Sequence, residues 1–288
     1  MIDFDKFKTN PFYLRDKDVE WVRDTLGKMT TEEKTGQLFF LIAYEPDKEY
    51  LEKLTEDIRA GGVMCRVMSR ENVIKTVSSL QKASKIPMLI AANLEAGGNG
   101  ICSDGTKVGS QMMIAATGKK EYAAALGAIC ADEGLAVGAN YAFAPIVDID
   151  YNFRNPITNT RTFGSDFETV LGCASEYLRE CQKRGVACSI KHFPGDGRDE
   201  RDQHLCTTVN DLSVGDWDKT YGKIYKTLID EGAKTVMVGH IMQPAYSKLL
   251  SPSITDEEVL PASLSEELLN GLLREKLGFN GLIITDAT

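Results

Sequence analysis

The chain has no CxxC pair, no HxH pair, no glycine-rich loop after its first apolar run and no long hydrophobic stretch. Each absence removes a class of protein. A membrane-crossing helix needs roughly 20 apolar residues in a row, and none is present. The N-terminus, MIDFDKFKTNPFYLRDKD, lacks the apolar core of a secretory leader. Seven cysteines (Cys65, Cys102, Cys130, Cys173, Cys181, Cys188 and Cys206) make an odd set with mostly apolar neighbours. Such a set suits reduced thiols in the cytoplasm better than a disulfide framework. Histidine is scarce, three in 288 residues, and Asp148 and Asp150 alternate along a strand without forming a convincing cation cage. Neither a metal nor a cofactor is expected. A net charge of −9 argues against nucleic acid and anionic membrane as partners. The oligomeric state is left open.

What is present is alternation. Apolar, β-rich runs recur at residues 37–43, 62–67, 87–94, 140–149, 187–192, 235–241 and 281–285. Amphipathic helical stretches lie between them, at 49–60, 70–84, 119–135, 167–184, 216–231 and 263–277. In the last of these Leu264, Leu268, Leu272 and Leu273 share one face, and Ser263 with Glu266 has capping-box spacing. Thr30 and Glu33 have the same spacing before the first strand. Strands alternating with helices of this length predict parallel βαβ units. Polar residues gather after the strand ends: Asn93 and Glu95, Asp148 and Asp150, Lys191 and His192, His240, and Asp286. That pattern predicts a TIM-type (β/α)8-like barrel with its site on the C-terminal face. A doubly wound sheet would want glycines after the first strand, and Leu41–Pro46 contains none. The count is seven strands rather than eight, and the text ends abruptly at GLIITDAT. A single barrel domain over residues 1–288, cut short after its seventh strand, is the expectation.

The densest chemistry lies in the fourteen residues KHFPGDGRDERDQH, from Lys191 to His204, which follow the apolar run Val186–Ile190. In an extended loop Asp202 and His204 point the same way, so the carboxylate fixes the imidazole tautomer and raises its pKa. A charged surface cluster with Arg198, Asp199, Glu200 and Arg201 is the competing reading. Lys191 and His192 are neighbours in a strand, so ideal geometry sends them to opposite faces, unless a turn before Pro194 brings both to the mouth. Asp286, at the end of GLIIT, is a short carboxylate that either points into the mouth or caps a following helix.

Five segments together resemble glycoside hydrolase family 3, closest to its β-N-acetylglucosaminidase branch. They are MTTEEKTGQLF, FAPIVDID with NPITNTRTFGSD, KHFPGDG followed by D-x-H, VMVGHIMQP, and LGFNGLIITDA, in order from about Met29 to Asp286. The resemblance implies a retaining, exo-acting β-N-acetylglucosaminidase on a (β/α)8-type barrel, taking a GlcNAc-containing glycoside. Asp286 matches the family's nucleophile, and Asp202 and His204 match its Asp-His acid/base dyad. Lys191, His192 and Arg161 match residues that hold the sugar, with an ion pair to Asp166 as the plain alternative for Arg161. Met237 and His240 align with residues of the sixth strand, although a strand methionine is usually core. The family's members continue well past the equivalent of Asp286.

One stretch departs from the family. Where an Asp, a Glu-Gly-Gly and two arginines are usual after the third strand, this chain reads Asn93-Leu94-Glu95-Ala96-Gly97-Gly98-Asn99-Gly100. Asn93 can still bond a sugar hydroxyl, without charge, and sugar preference is thereby left open. Other readings remain beside the N-acetylglucosaminidase: a β-glucosidase, a Schiff-base aldolase on Lys191, a phosphorylase (a histidine acid/base lacks a carboxylate's repulsion of phosphate), or an inactive sugar-binding fragment.

Overall fold

In a computed structural model of the chain, which describes residues 2–287, the seven apolar runs become parallel strands of one sheet. They are β1 (Phe40–Ala43), β2 (Gly62–Cys65), β3 (Leu89–Ala92), β4 (Tyr141–Ala142), β5 (Ala187–Phe193), β7 (Thr235–Val238) and β9 (Leu282–Thr285). The remaining pair, β6 (Thr208–Val209) and β8 (Ile241–Met242), forms a separate two-residue ladder at the strands' C-terminal side. Such short strands carry no periodicity, so the sequence did not announce them. Register in the main sheet is set by pairs such as Phe40 with Gly62, Ala91 with Tyr141, and Val238 with Thr285.

The sheet curls into an open barrel around an interior plug. Phe40 of β1, Tyr141 and Phe143, Met237 of β7 and Ile284 of β9 pack into one apolar cluster with Ala91. Residues from the first and last strands meet there, so the sheet bends round the cluster instead of lying flat. The rings interlock edge to face, with Tyr141 and Phe143 centroids 5.0 Å apart. The Tyr141 hydroxyl donates to Thr235 at 2.8 Å and so has its own partner inside the plug. Among the described residues the outer edges of β1 and β9 have no strand partner. A larger core lies between the sheet and the surrounding helices, including Arg70–Ala83, Glu121–Ala136, Phe167–Lys183 and Glu267–Lys276. No helix among the described residues is long and apolar enough to cross a membrane.

Three local expectations change. The run at 140–149 is a two-residue strand, because Pro145 has no N–H to give the ladder; beyond it Val147 bonds Lys191 and Ile146 makes an isolated bridge. The last helix starts later than predicted: Ser265, not Ser263, caps it through Leu268 N–H at 3.2 Å, and Leu264 stands 68% exposed off the helix face. Thr30 and Glu33 do form the predicted capping box.

Candidate active site

The carboxyl ends of β3, β5, β7 and β9 converge on Asp286. Backbone pairing positions it, since its N–H donates to Val238 on β7 at 2.8 Å. Its side chain is nearly buried at 9% exposure. Oδ1 accepts from Ala287 N–H, while Oδ2 faces two imidazoles: His204 Nε2 at 3.3 Å and His192 Nε2 at 3.6 Å. Both contacts are ion pairs rather than well-aligned hydrogen bonds. Burial alone would raise the Asp286 pKa, but His192, His204 and Lys191 outweigh it and hold the carboxyl far below its usual range.

Each imidazole is backed by its own carboxylate. His204 Nδ1 lies 2.7 Å from Asp202 Oδ1, which also accepts the His204 backbone N–H at 2.8 Å. The segment is a turn rather than the extended loop expected, yet it brings the same two side chains together. Because a carboxylate can only accept, Nδ1 carries the proton and Nε2 is turned to Asp286. The Asp286 carboxylate, and behind it Asp202, push His204 up to about 9 against the opposing effect of burial.

His192 mirrors this arrangement in the interior. Its Nδ1 lies 2.7 Å from Asp148 Oδ2, and Asp148 Oδ1 accepts backbone N–H groups from His192 and Asp196. Both side chains are essentially sealed from solvent. The β5–β7 register shifts between Ile190 and Phe193, so the strand is irregular where these residues sit. Lys191 and His192 accordingly end on the same site, not on opposite faces. Asp196, beside Asp148, is raised to about 6 by burial and by that neighbour's charge.

Lys191 Nζ lies 2.8 Å from Glu95 and 3.4 Å from Asn93 Oδ1. Arg161 clasps Glu95 with two bonds, at 3.0 and 2.8 Å. Burial works to raise Glu95, but Lys191 and Arg161 together hold it near 2. Asp166, the alternative partner for Arg161, instead caps the helix Phe167–Lys183 through Thr169. A lysine engaged in an ion pair has no free lone pair, which weakens the Schiff-base reading.

The structure therefore gathers Asp286, His204, Asp202, Lys191, His192, Arg161 and Asn93 at one mouth. Met237 is 4% exposed and packs in the barrel plug. His240 borders the mouth, bonded to Ser263 Oγ at 3.0 Å and Ala287 O at 3.1 Å. Sequence reading set Glu95 and Asp148 among the polar residues at the strand ends but gave Glu95 no role in the site and weighed for Asp148 only a cation cage. A buried aspartate inside the apolar run FAPIVDID was the signal for Asp148; the partner 44 residues away was not visible. Asp148 is fully engaged by His192 and Asp196, and Asp150 shares none of those bonds. Among the described residues no group of three His, Cys, Asp or Glu side chains is placed to hold a metal ion.

Comparison with known proteins identifies the family. Residues 30–288 match the family model described as the glycosyl hydrolase family 3 N-terminal domain. A beta-N-acetylglucosaminidase/beta-glucosidase from Cellulomonas fimi is 51% identical over 278 residues, which is 96% of this chain and 49% of that protein. A solved beta-glucoside phosphorylase superposes with a TM-score of 0.95 at 47% identity, covering 99% of this chain and 51% of the other. A family 3 beta-N-acetylglucosaminidase from a Paenibacillus species gives 0.78 at 30% identity, with 90% and 49% covered. The chain thus spans about half the length of these relatives. Over residues 30–288 it belongs to glycosyl hydrolase family 3.

Proposed function

We propose that the chain carries a retaining, exo-acting β-glycosidase site for terminal β-linked N-acetylglucosamine, with Asp286 as nucleophile and His204 as acid/base. The observation that carries this is the shared target: a depressed, unbonded carboxylate oxygen lies 3.3 Å from a raised imidazole. Retaining enzymes hold their two catalytic groups about 5–5.5 Å apart; here the imidazole and carboxylate touch at 3.3 Å, and a substrate enters by parting them. His204 gives its Nε2 proton to the glycosidic oxygen as Asp286 Oδ2 attacks the anomeric carbon, and the bond to the leaving group breaks. Esterification then removes the charge that chiefly raised His204. The imidazole, now neutral, takes a proton from the water that attacks the ester, and Asp286 is freed. Asp202 holds the tautomer; Lys191, His192, Arg161 and Asn93 are the sugar-hydroxyl partners. We read residues 1–288 as one catalytic barrel domain, and its seven unpaired thiols support a reducing, cytoplasmic setting.

The test is covalent trapping with a 2-fluoro glycoside. Mass should be gained on Asp286, and Asp286→Ala should take no label; label persisting in that variant would refute the nucleophile assignment.

A second reading has its own support. An imidazole beside the acceptor position does not repel an anion as a carboxylate does, and one close structural relative is a beta-glucoside phosphorylase. Phosphate would then replace water in the second step and release a glycosyl phosphate. Product analysis in phosphate against phosphate-free buffer separates the two readings, and glucosides run beside N-acetylglucosaminides separate the sugars.

A further inference from the structure

One side chain in the exposed, charged segment 198–206 is turned inward. Asp202 and His204 are each about a third exposed, Leu205 is 85% exposed, and Gln203 between them is 2% exposed. Its amide is spent at both ends. Nε2 donates to Asp196 Oδ2 at 3.0 Å, and Oε1 accepts His240 N–H at 2.7 Å. Asp196 is in turn bonded by Asn155 and Gly197 and donates its own N–H to Asp148, the carboxylate behind His192. A continuous chain of bonds therefore runs from His192, on one side of Asp286, to the residue preceding His204, on the other.

The surroundings are shaped for that amide. A methyl group on Gly239 would lie 2.3 Å from Gln203 Oε1, so only glycine there lets the side chain reach His240 N–H. Further tethers hold the segment at its ends: Asp199 accepts Val209 N–H, and the β6–β8 ladder ties Thr208 to His240 O. Gln203 is the tether at the dyad itself. An amide, unlike a carboxylate or an ammonium, can donate to Asp196 and accept from His240 without adding charge between two imidazoles.

We propose that Gln203 is the positioning residue that fixes His204 over Asp286, coupling the proton donor to the buried Asp196–Asp148–His192 frame. This rests on the reading of His204 as the acid. Losing the tether leaves the nucleophile intact and misplaces the donor, so the damage falls on substrates whose leaving group needs a proton.

The test compares Gln203→Ala, Gln203→Glu and Gly239→Ala with His204→Ala in the full chain. For alkyl N-acetylglucosaminides, Gln203→Ala and Gly239→Ala should lose on the order of 10²-fold in kcat/KM, the lower end for an acid/base group. First-turnover release of dinitrophenol, which needs no proton, should stay within about twofold by the same argument. Gln203→Glu sets a second carboxyl against Asp196, so its activity should recover on acidification as the pair takes up a shared proton. Equal loss across leaving groups, or full activity on the alkyl glycoside, overturns the proposal. If His204→Ala itself shows no leaving-group dependence, the acid assignment is what fails, and the proposal falls with it. The His204 ring titration, followed by NMR, reads the same geometry without turnover: from about 9 it should fall toward the ordinary imidazole value in Gln203→Ala and Gly239→Ala. An unmoved titration in folded variants also overturns it.

Discussion

Two histidine–carboxylate pairs face one oxygen of Asp286, and their surroundings differ in kind. His192 and Asp148 are sealed in the barrel, with the carboxylate saturated by one ring and two backbone N–H groups. His204 and Asp202 stand a third exposed, on a turn whose inward side chain between them is the Gln203 amide. The same chemical pair therefore does two jobs. The buried one is a fixed strut whose carboxylate is needed to keep a ring and a loop satisfied. The open one can exchange its proton with substrate and solvent, which a proton shuttle must do. In the mechanism we propose, depth rather than composition separates frame from proton donor.

The comparison can be broken first at Asp148. Asp148→Ala leaves a buried imidazole and two N–H groups without their acceptor, a loss of about 3–5 kcal/mol. At roughly 2–4 °C per kcal/mol for domains of this order, thermal unfolding should shift down by about 10 °C. A shift as small as that of Asp202→Ala would erase the distinction between the pairs. His204→Ala should do the reverse, lowering the melting temperature less than Asp148→Ala does while costing about 10²–10⁴-fold in turnover of glycosides with poor leaving groups. Steady-state kinetics across a leaving-group series checks this.

Subtler still is the pH profile. The acid form of His204 is required for the first step, so kcat/KM should fall as pH rises through about 9. Asp202→Asn should move that alkaline limb to lower pH only in part, because Asp286 is the larger cause and remains. Its stability cost should stay within about 1 kcal/mol, as for partly exposed pairs. The sign for folding follows from the same raised value. Charged His204 stabilises fully below its unfolded pKa near 6.5, and this is lost as pH climbs to about 9. The melting-temperature gap between wild type and His204→Ala should therefore shrink across that window; a gap that widens with pH would contradict the assigned titration.

Much of this was legible in the text of the chain. Near-continuous apolar runs separated by amphipathic stretches announced the seven main strands, because parallel strands covered on both faces need apolar residues at every position. Asp202 and His204 sit two residues apart, so a local turn suffices to join them. Local cues failed where long-range packing decided the outcome. Ser263 has the spacing of a cap, yet its hydroxyl is taken by His240 and the helix begins at Ser265 instead. Met237, aligned with a site strand, packs in one apolar cluster with residues of β1, β3, β4 and β9, a set of neighbours no local pattern shows.

By itself, the sequence determined the alternation that builds the barrel, the polar residues at its strand ends and the Asp202–His204 pair, since all of these depend on neighbours a few residues apart. Only the tertiary structure decided that Asp148 would back His192, 44 residues on, and that Glu95 would be clamped by Arg161, 66 residues away, and by Lys191. It alone decided that both imidazoles would meet at Asp286. Charges so distant along the chain acquire partners only when the curled sheet brings its strand ends together, and there burial makes an unpaired charge too costly to keep.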